Sequence, residues 1–220
     1  MKVLAFDCSG ASCSAAVLID DRPAAQRFAP MERGHAETLL PMIETVLREA
    51  ALTPATLDLL VATIGPGSFT GLRIGLAAAH GLALARKLPA IGVTSFDAVK
   101  VDDPAVRPLF VALESKRAEL FLQRRDRADD RLPALVPPEE WPAILPPGPC
   151  FLAGDGAARL AAVLGRSDVA VLPGHGRPDP VALARLGTAR WRAGDQTPLT
   201  PLYLRAPDTT APRPAAPVTP

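Results

Sequence analysis

The eleven residues GPGSFTGLRIG, Gly65 to Gly75, resemble at first sight a loop that cradles phosphate at the start of a helix. A P-loop needs four residues between its glycines and then Lys with Ser or Thr, so that amides, an ammonium and a metal-bound hydroxyl meet the phosphates. Neither the spacing nor the lysine is present. The dinucleotide fingerprint fails as well, because its third glycine would fall at Thr70. A general anion site remains open, with Ser68 capping a helix whose free amides point at a ligand. The glycines within the helix offer another reading. Gly71, Gly75, Ala79 and Ala83 recur every fourth residue and form a stripe almost without side chain, which lets another backbone come close. That neighbour is either the helix's own sheet or the helix of a partner. Arg73, His80 and Lys87 mark a polar line on another face.

Asp7 ends the first β-prone run beside a hydroxyl-rich turn, DCSGASCS, which also holds Ser9. Sugar kinases and actin-type ATPases put an acidic residue and a phosphate-contacting loop at such a place, so Asp7 and Ser9 are the candidate cofactor contacts. Turn statistics favour a plainer role, in which Asp and Ser close a hairpin through side-chain to backbone bonds. His35, His80 and His175 follow no HxxxH or HExxH spacing, and the His175/Asp179 pair lies in a Gly/Pro-rich stretch, so no metal site is expected. Cys8 and Cys13 read as small buried residues without a base to activate them, and Cys150 stands alone. Glu114, Lys116, Arg117 and Glu119 cluster where a second hairpin would turn and read as a solvated turn.

The elements that must position these residues follow from the apolar pattern. KVLAFDCSG and SCSAAVLID form an opening hairpin that AAQRFAP extends. HAETLLPMIETVLREA spaces Leu39, Ile43, Val46, Leu47 and Ala50 as an amphipathic helix, and Pro41 predicts a start near Glu37 or a bend. LDLLVATIG is a buried strand, FTGLRIGLAAAHGLALARK a helix and AIGVTS the next strand. LFVALES and AELFLQRRD give a second hairpin. The stretch DRADDRLPALVPPEEWPAILPPGPC is too rich in proline for a strand, with at most a short helix at 139–144. CFLAGDG, VAVLP and PVALARLGTARWRAG then predict strand, strand and helix. Residues 206–220 carry five prolines and almost no large apolar group, which predicts disorder. The division is 1–104 for a first lobe and 105–205 for a smaller second one.

Composition bounds the function. With 220 residues and 48% hydrophobic content the chain can bury a substantial core. A net charge of +1 gives no footprint for tight nucleic-acid binding by the chain alone. Three cysteines without CxxC spacing fit a reducing compartment, and no run approaches a membrane span. Cytoplasmic location is the expectation.

Taken together, LAFDCSGASCSAAVL, GHAETLLPMIETVL, IGPGSFTGLRIGLAAAHGLA, IGVTSFDAV and PLYLR, in this order, resemble the TsaB (YeaZ) family. The similarity runs from about Met1 to Arg205 and is strongest up to Val99. The resemblance implies an α/β, actin-like ATPase (ribonuclease H-like) fold of two lobes with the second reduced. It implies a non-catalytic subunit in the formation of N6-threonylcarbamoyladenosine at position 37 of tRNAs reading ANN codons. The implied partners are TsaD, as a heterodimer, and TsaE, with tRNA reached only through the complex, no membrane contact, and a homodimer open to the free chain. No cofactor of its own is implied, and room is left for ATP or ADP at the interface of the complex. The docking surface carried over from the family comprises His35, Leu39, Leu40 and Ile43 on the first helix, with Ser68, Phe69, Gly71, Leu72, Arg73, Gly75, Leu76, Ala79 and His80 on the second. TsaD carries a two-histidine metal motif after the matching strand; here VTSFDAV puts Ser95 and Val99 at those places, and neither side chain supplies an imidazole. Relatives with Asp-Ala-Arg in the second lobe are matched here by Glu114, Ser115 and Lys116. Two other readings are a peptidase, for which no triad or metal motif is present, and an independent actin-like ATP binder resting on Asp7 and Ser9.

Overall fold

The computed structural model describes residues 1–102, 108–125, 133–174 and 176–205. The expected disorder of 206–220 and the candidate His175 lie outside the described residues. The chain opens as an antiparallel meander, β1 (Lys2–Asp7), β2 (Ser12–Ile19) and β3 (Arg22–Pro30), followed by α1 (His35–Glu49), β4 (Leu59–Gly65), α2 (Phe69–Arg86), β5 (Ala90–Thr94) and the short α3 (Ser95–Ala98). A second meander, β6 (Leu109–Glu114), β7 (Leu120–Arg124) and β8 (Ala134–Val136), leads through α4 (Trp141–Ile144) to β9 (Cys150–Ala153), α5 (Ala157–Leu164), β10 (Val169–Val171) and α6 (Pro180–Arg192). The sheets have the orders β3-β2-β1-β4-β5 and β8-β7-β6-β9-β10. The two are the same topology, with three strands paired antiparallel and two joined parallel to the first of them. This repeated arrangement is the two-lobed actin-like fold, and the second lobe is reduced by its short outer strands of three residues each.

The first sheet is covered on both sides, which is why its central strands are continuously apolar. Leu4, Phe6, Val17, Leu60 and Ala62 face α1 and α2; Val3, Ala5, Leu59, Val61 and Ile91 face α6. Helix α6 lies within 105–205, the stretch expected as the second lobe, yet Leu183 and Ala184 pack on the first sheet. The chain then runs along the β5 edge: the amide of Gly92 donates to Thr197 O (2.9 Å) and that of Leu202 to Ile64 O (2.7 Å). Unpaired edge groups are thereby covered.

Three local expectations change. Helix α1 starts at His35, after Gly34 at φ 89°, and keeps Pro41 inside it. The amide that Pro41 lacks belongs to the exposed side, where water serves the carbonyl that loses its partner. The proline-rich stretch does contain a strand, β8, because Pro133 and Pro137 fall just outside its three residues and the ladder loses no donor. Between β9 and β10, AARLAAVL forms α5, a crossover that two parallel neighbours require and that the sequence reading left out.

Candidate functional site

At the end of β1 the backbone turns through Ser9 to Ala11, and every nearby element is tied to that turn. The amide of Ser9 donates to Asp7 Oδ1 (2.9 Å) and the Thr63 hydroxyl donates to the same oxygen. The hydroxyl of Ser95 donates to Ser9 Oγ (2.9 Å), the amide of Ser68 donates to Ser9 O (2.6 Å), and His35 Nε2 lies 3.1 Å from Gly10 O. Asp7 is wholly buried, its Oδ2 has no hydrogen-bond partner among the described residues, and burial pushes its carboxyl above the usual carboxylate range. This is the hairpin-closing role.

The GPGSFTG segment is shaped by the same contact. Gly65 takes φ 103°, open chiefly to glycine. A Cβ on Gly67 would stand 2.1 Å from Ser9 O, and one on Gly71 2.1 Å from Cys8 O. Ser68 caps α2 by accepting from the Gly71 amide (3.3 Å). Gly71 therefore lets α2 lie against the backbone of Cys8, just past β1, and Gly71, Gly75 and Ala79 of the stripe face the chain's own interior.

Between the lobes lies a cleft of about 220 Å³ lined by Ser9, Glu32, Ser68, Glu114, Lys116, Asp155 and Arg177. Lys116 Nζ donates to Glu32 Oε2 (2.9 Å), and the amide of Glu114 donates to Asp155 Oδ1 (2.9 Å). The Glu114 carboxylate receives both Nε and Nη2 of Arg159 at 2.9 and 2.8 Å, a bidentate pair. Burial raises the Asp155 carboxyl. The turn at Lys116 and Arg117 is solvated as expected, and in addition ion pairs tie Lys116 to Glu32 in the loop after β3 and Glu114 to Arg159 on α5. Glu32, Asp155 and Arg159 were missed because each partner lies far away in the chain. Asp7 is wholly buried, the Ser9 amide and hydroxyl are both engaged, and the carboxylates of Glu32, Glu114 and Asp155 line the cleft together with Lys116 and Arg177. Ser95 and Val99, at the places of the family's histidines, are buried, and the described residues hold no group of three His, Cys, Asp or Glu arranged for a metal.

The outer surface of α1 and α2 is different in character. Leu40 is 51% exposed, Phe69 37%, Leu84 84% and Tyr203 39%. These are four of the six exposed large apolar residues among those described. Arg73 stacks on Phe69 at 3.8 Å and its Nε lies 3.3 Å from Tyr203 Oη, while the Phe69 and Tyr203 rings are 5.3 Å apart. At 3.6 residues per turn, Phe69, Arg73, His80 and Leu84 fall within about 60° of one another around α2. Of the residues expected at a docking surface, Leu40, Phe69, Arg73 and His80 point outward and Ser68 lines the cleft. His35, Leu39, Ile43, Gly71, Leu72, Gly75, Leu76 and Ala79 are buried in the chain's own interior, so their side chains are closed to a partner. Leu84 lies one turn beyond His80 on the line that Arg73, His80 and Lys87 mark, and an apolar residue there gives no signal of its own. Tyr203 was visible only as part of PLYLR.

Comparison with known proteins extends this picture. The family described as "TsaD: tRNA N6-adenosine threonylcarbamoyltransferase" matches residues 29–132. An uncharacterized protein of Mycobacterium tuberculosis is 36% identical over 183 residues, covering 83% of this chain and 81% of its own. The tRNA threonylcarbamoyladenosine biosynthesis protein TsaB of Bacillus subtilis is 26% identical over 226 residues, covering 96% and 97%. Among solved structures, YeaZ from Pseudomonas aeruginosa superposes with a TM-score of 0.77 at 25% identity, covering 92% of this chain and 99% of its own.

Proposed function

The chain belongs to the TsaB (YeaZ) family, and we propose from that premise that it is a non-catalytic subunit in N6-threonylcarbamoyladenosine formation at position 37 of tRNAs reading ANN codons. It acts by docking on TsaD as a heterodimer through the outward face of α1 and α2, and TsaE joins the assembly. The observation that carries this reading is the exposed Phe69 and Tyr203 pair with Arg73 stacked on Phe69, and Leu84 continues the same stripe of α2 about 22 Å along its axis. Exposed aromatic rings with an Arg packed on them are the composition of interface centres.

The sealed Asp7 and the Ser95 and Val99 side chains at the matching histidine positions favour an accessory role, with the transfer chemistry on TsaD. A net charge of +1 favours tRNA contact through the complex. No helix among the described residues is long and apolar enough to cross a membrane. Purified chain mixed with TsaD, TsaE, tRNA and the threonylcarbamoyl adenylate made by TsaC tests the proposal. Modification is expected to fall to background when the chain is left out, and equal modification without it would overturn the reading.

A further inference from the structure

Cys8 and Cys13 are both buried, and their sulfurs lie 3.6 Å apart. The register of β1 and β2 pairs Asp7 with Ser14, so one further step sets Cys8 directly opposite Cys13. Opposed residues of an antiparallel pair have Cα atoms about 4.5–5.5 Å apart, inside the range of about 4.4–6.8 Å that a disulfide spans. We propose that this pair is an oxidative modification site, a dithiol that a hydroperoxide converts to an intrachain disulfide across the opening hairpin. Space filling alone would call for small apolar groups at either position and would not require two thiols in contact across the ladder. Cys150, by contrast, is buried without a second sulfur.

The chemistry is asymmetric. Either thiol can donate the hydrogen bond between them, and with the proton on Cys8 the Cys13 sulfur is the attacking one. Its thiolate attacks one oxygen of the peroxide, the O–O bond breaks, and hydroxide leaves to become water, forming a sulfenic acid. Cys8 sulfur then attacks the Cys13 sulfur, the S–O bond breaks, and the departing hydroxide takes the Cys8 proton. Two thiols lose two electrons and hydrogen peroxide is reduced to two waters. The bond would form where the Cys8 carbonyl seats Gly71, the Cys8 Cβ lies 3.7 Å from the site of a Gly75 Cβ, and His35 meets Gly10. The starts of α1 and α2 are both held by that turn.

Folded full-length chain is treated with hydrogen peroxide, quenched in acid, and alkylated in denaturant. Alkylatable thiols are expected to fall from the three of the sequence to one. The tryptic peptide from Val3 to Arg27, which carries both cysteines, is expected to lose two hydrogen atoms and regain them with dithiothreitol. A Cys150→Ser chain is expected to fall from two thiols to none, as a monomer on a non-reducing gel. Persistence of both thiols, oxygen addition to that peptide without loss of hydrogen, or a covalent dimer would each overturn the proposal.

Discussion

Replacing Gly71 with alanine tests how the GPGSFTG helix is seated. In an open helix the change would stabilise, because glycine costs about 0.5–1 kcal/mol relative to alanine. At this position the new Cβ would stand 2.1 Å from the Cys8 carbonyl oxygen, where real Cβ contacts almost never come closer than 3.0 Å. Both parties are backbone, one in the first turn of α2 and one at the end of a central strand, so no side chain can swing aside. Overpacking of this kind costs about 1–3 kcal/mol, and the rigid setting puts the expected loss near the upper end, about 2 kcal/mol after the helix gain. For a chain of this size that lowers the melting temperature by about 4–8 °C. Gly75→Ala meets only the Cys8 Cβ at 3.7 Å, and Gly81→Ala meets nothing within 4 Å; both should keep the helix gain and melt at or slightly above the wild-type temperature. Thermal unfolding followed by circular dichroism separates the outcomes. A Gly71→Ala chain that melts no lower than wild type would refute the close seating of α2 on β1.

Three further outcomes follow from the polar groups. Burial raises the Asp7 carboxyl, so the folded chain holds that proton more tightly than the unfolded one. The group's contribution is full below the ordinary carboxylate value near pH 3.8 and is lost as pH rises through the raised one. Asp7→Asn keeps an acceptor for Ser9 and Thr63 and removes the titration, so in urea titrations it should gain on wild type as pH rises from 4; a difference from wild type that does not change with pH contradicts this. Arg159→Ala removes a bidentate pair about one third exposed on each side, and should cost about 1 kcal/mol after allowance for solvent screening. Glu32→Ala breaks only an exposed pair with Lys116, and its unfolding midpoint should stay within about 1 kcal/mol of wild type.

Elements written in local pattern were legible before the fold was seen. The opening hairpin, the buried run into Gly65, and the Ser68 cap each depend on residues a few positions apart. Pro41 pointed to a start near Glu37 or a bend; the helix starts at His35 with Pro41 inside it, because a missing amide is tolerated on a wet helix face. The stripe from Gly71 to Ala79 was legible as a site of close approach, but spacing alone does not say which backbone approaches, and that answer needed the position of Cys8. The second lobe was harder. AARLAAVL is too short for its periodicity to declare a helix, and the three residues of β8 are masked by flanking prolines. Pairings such as Glu114 with Arg159, 45 positions apart, or α6 with the first sheet, leave no local trace. Phe69, Arg73 and Tyr203 form one cluster only because the last described residues return across α2.

Docking on TsaD through the outward face of α1 and α2 makes a quantitative demand on that face. Titration calorimetry of TsaD with wild-type chain and with a Phe69→Ala, Leu84→Ser chain tests it most directly, with melting curves run beside it. Interface centres lose at least about 1.4 kcal/mol when such anchors are cut, which is tenfold in affinity. The account predicts a dissociation constant raised tenfold or more with the melting temperature unchanged, and an affinity equal to wild type in the folded double variant would contradict it.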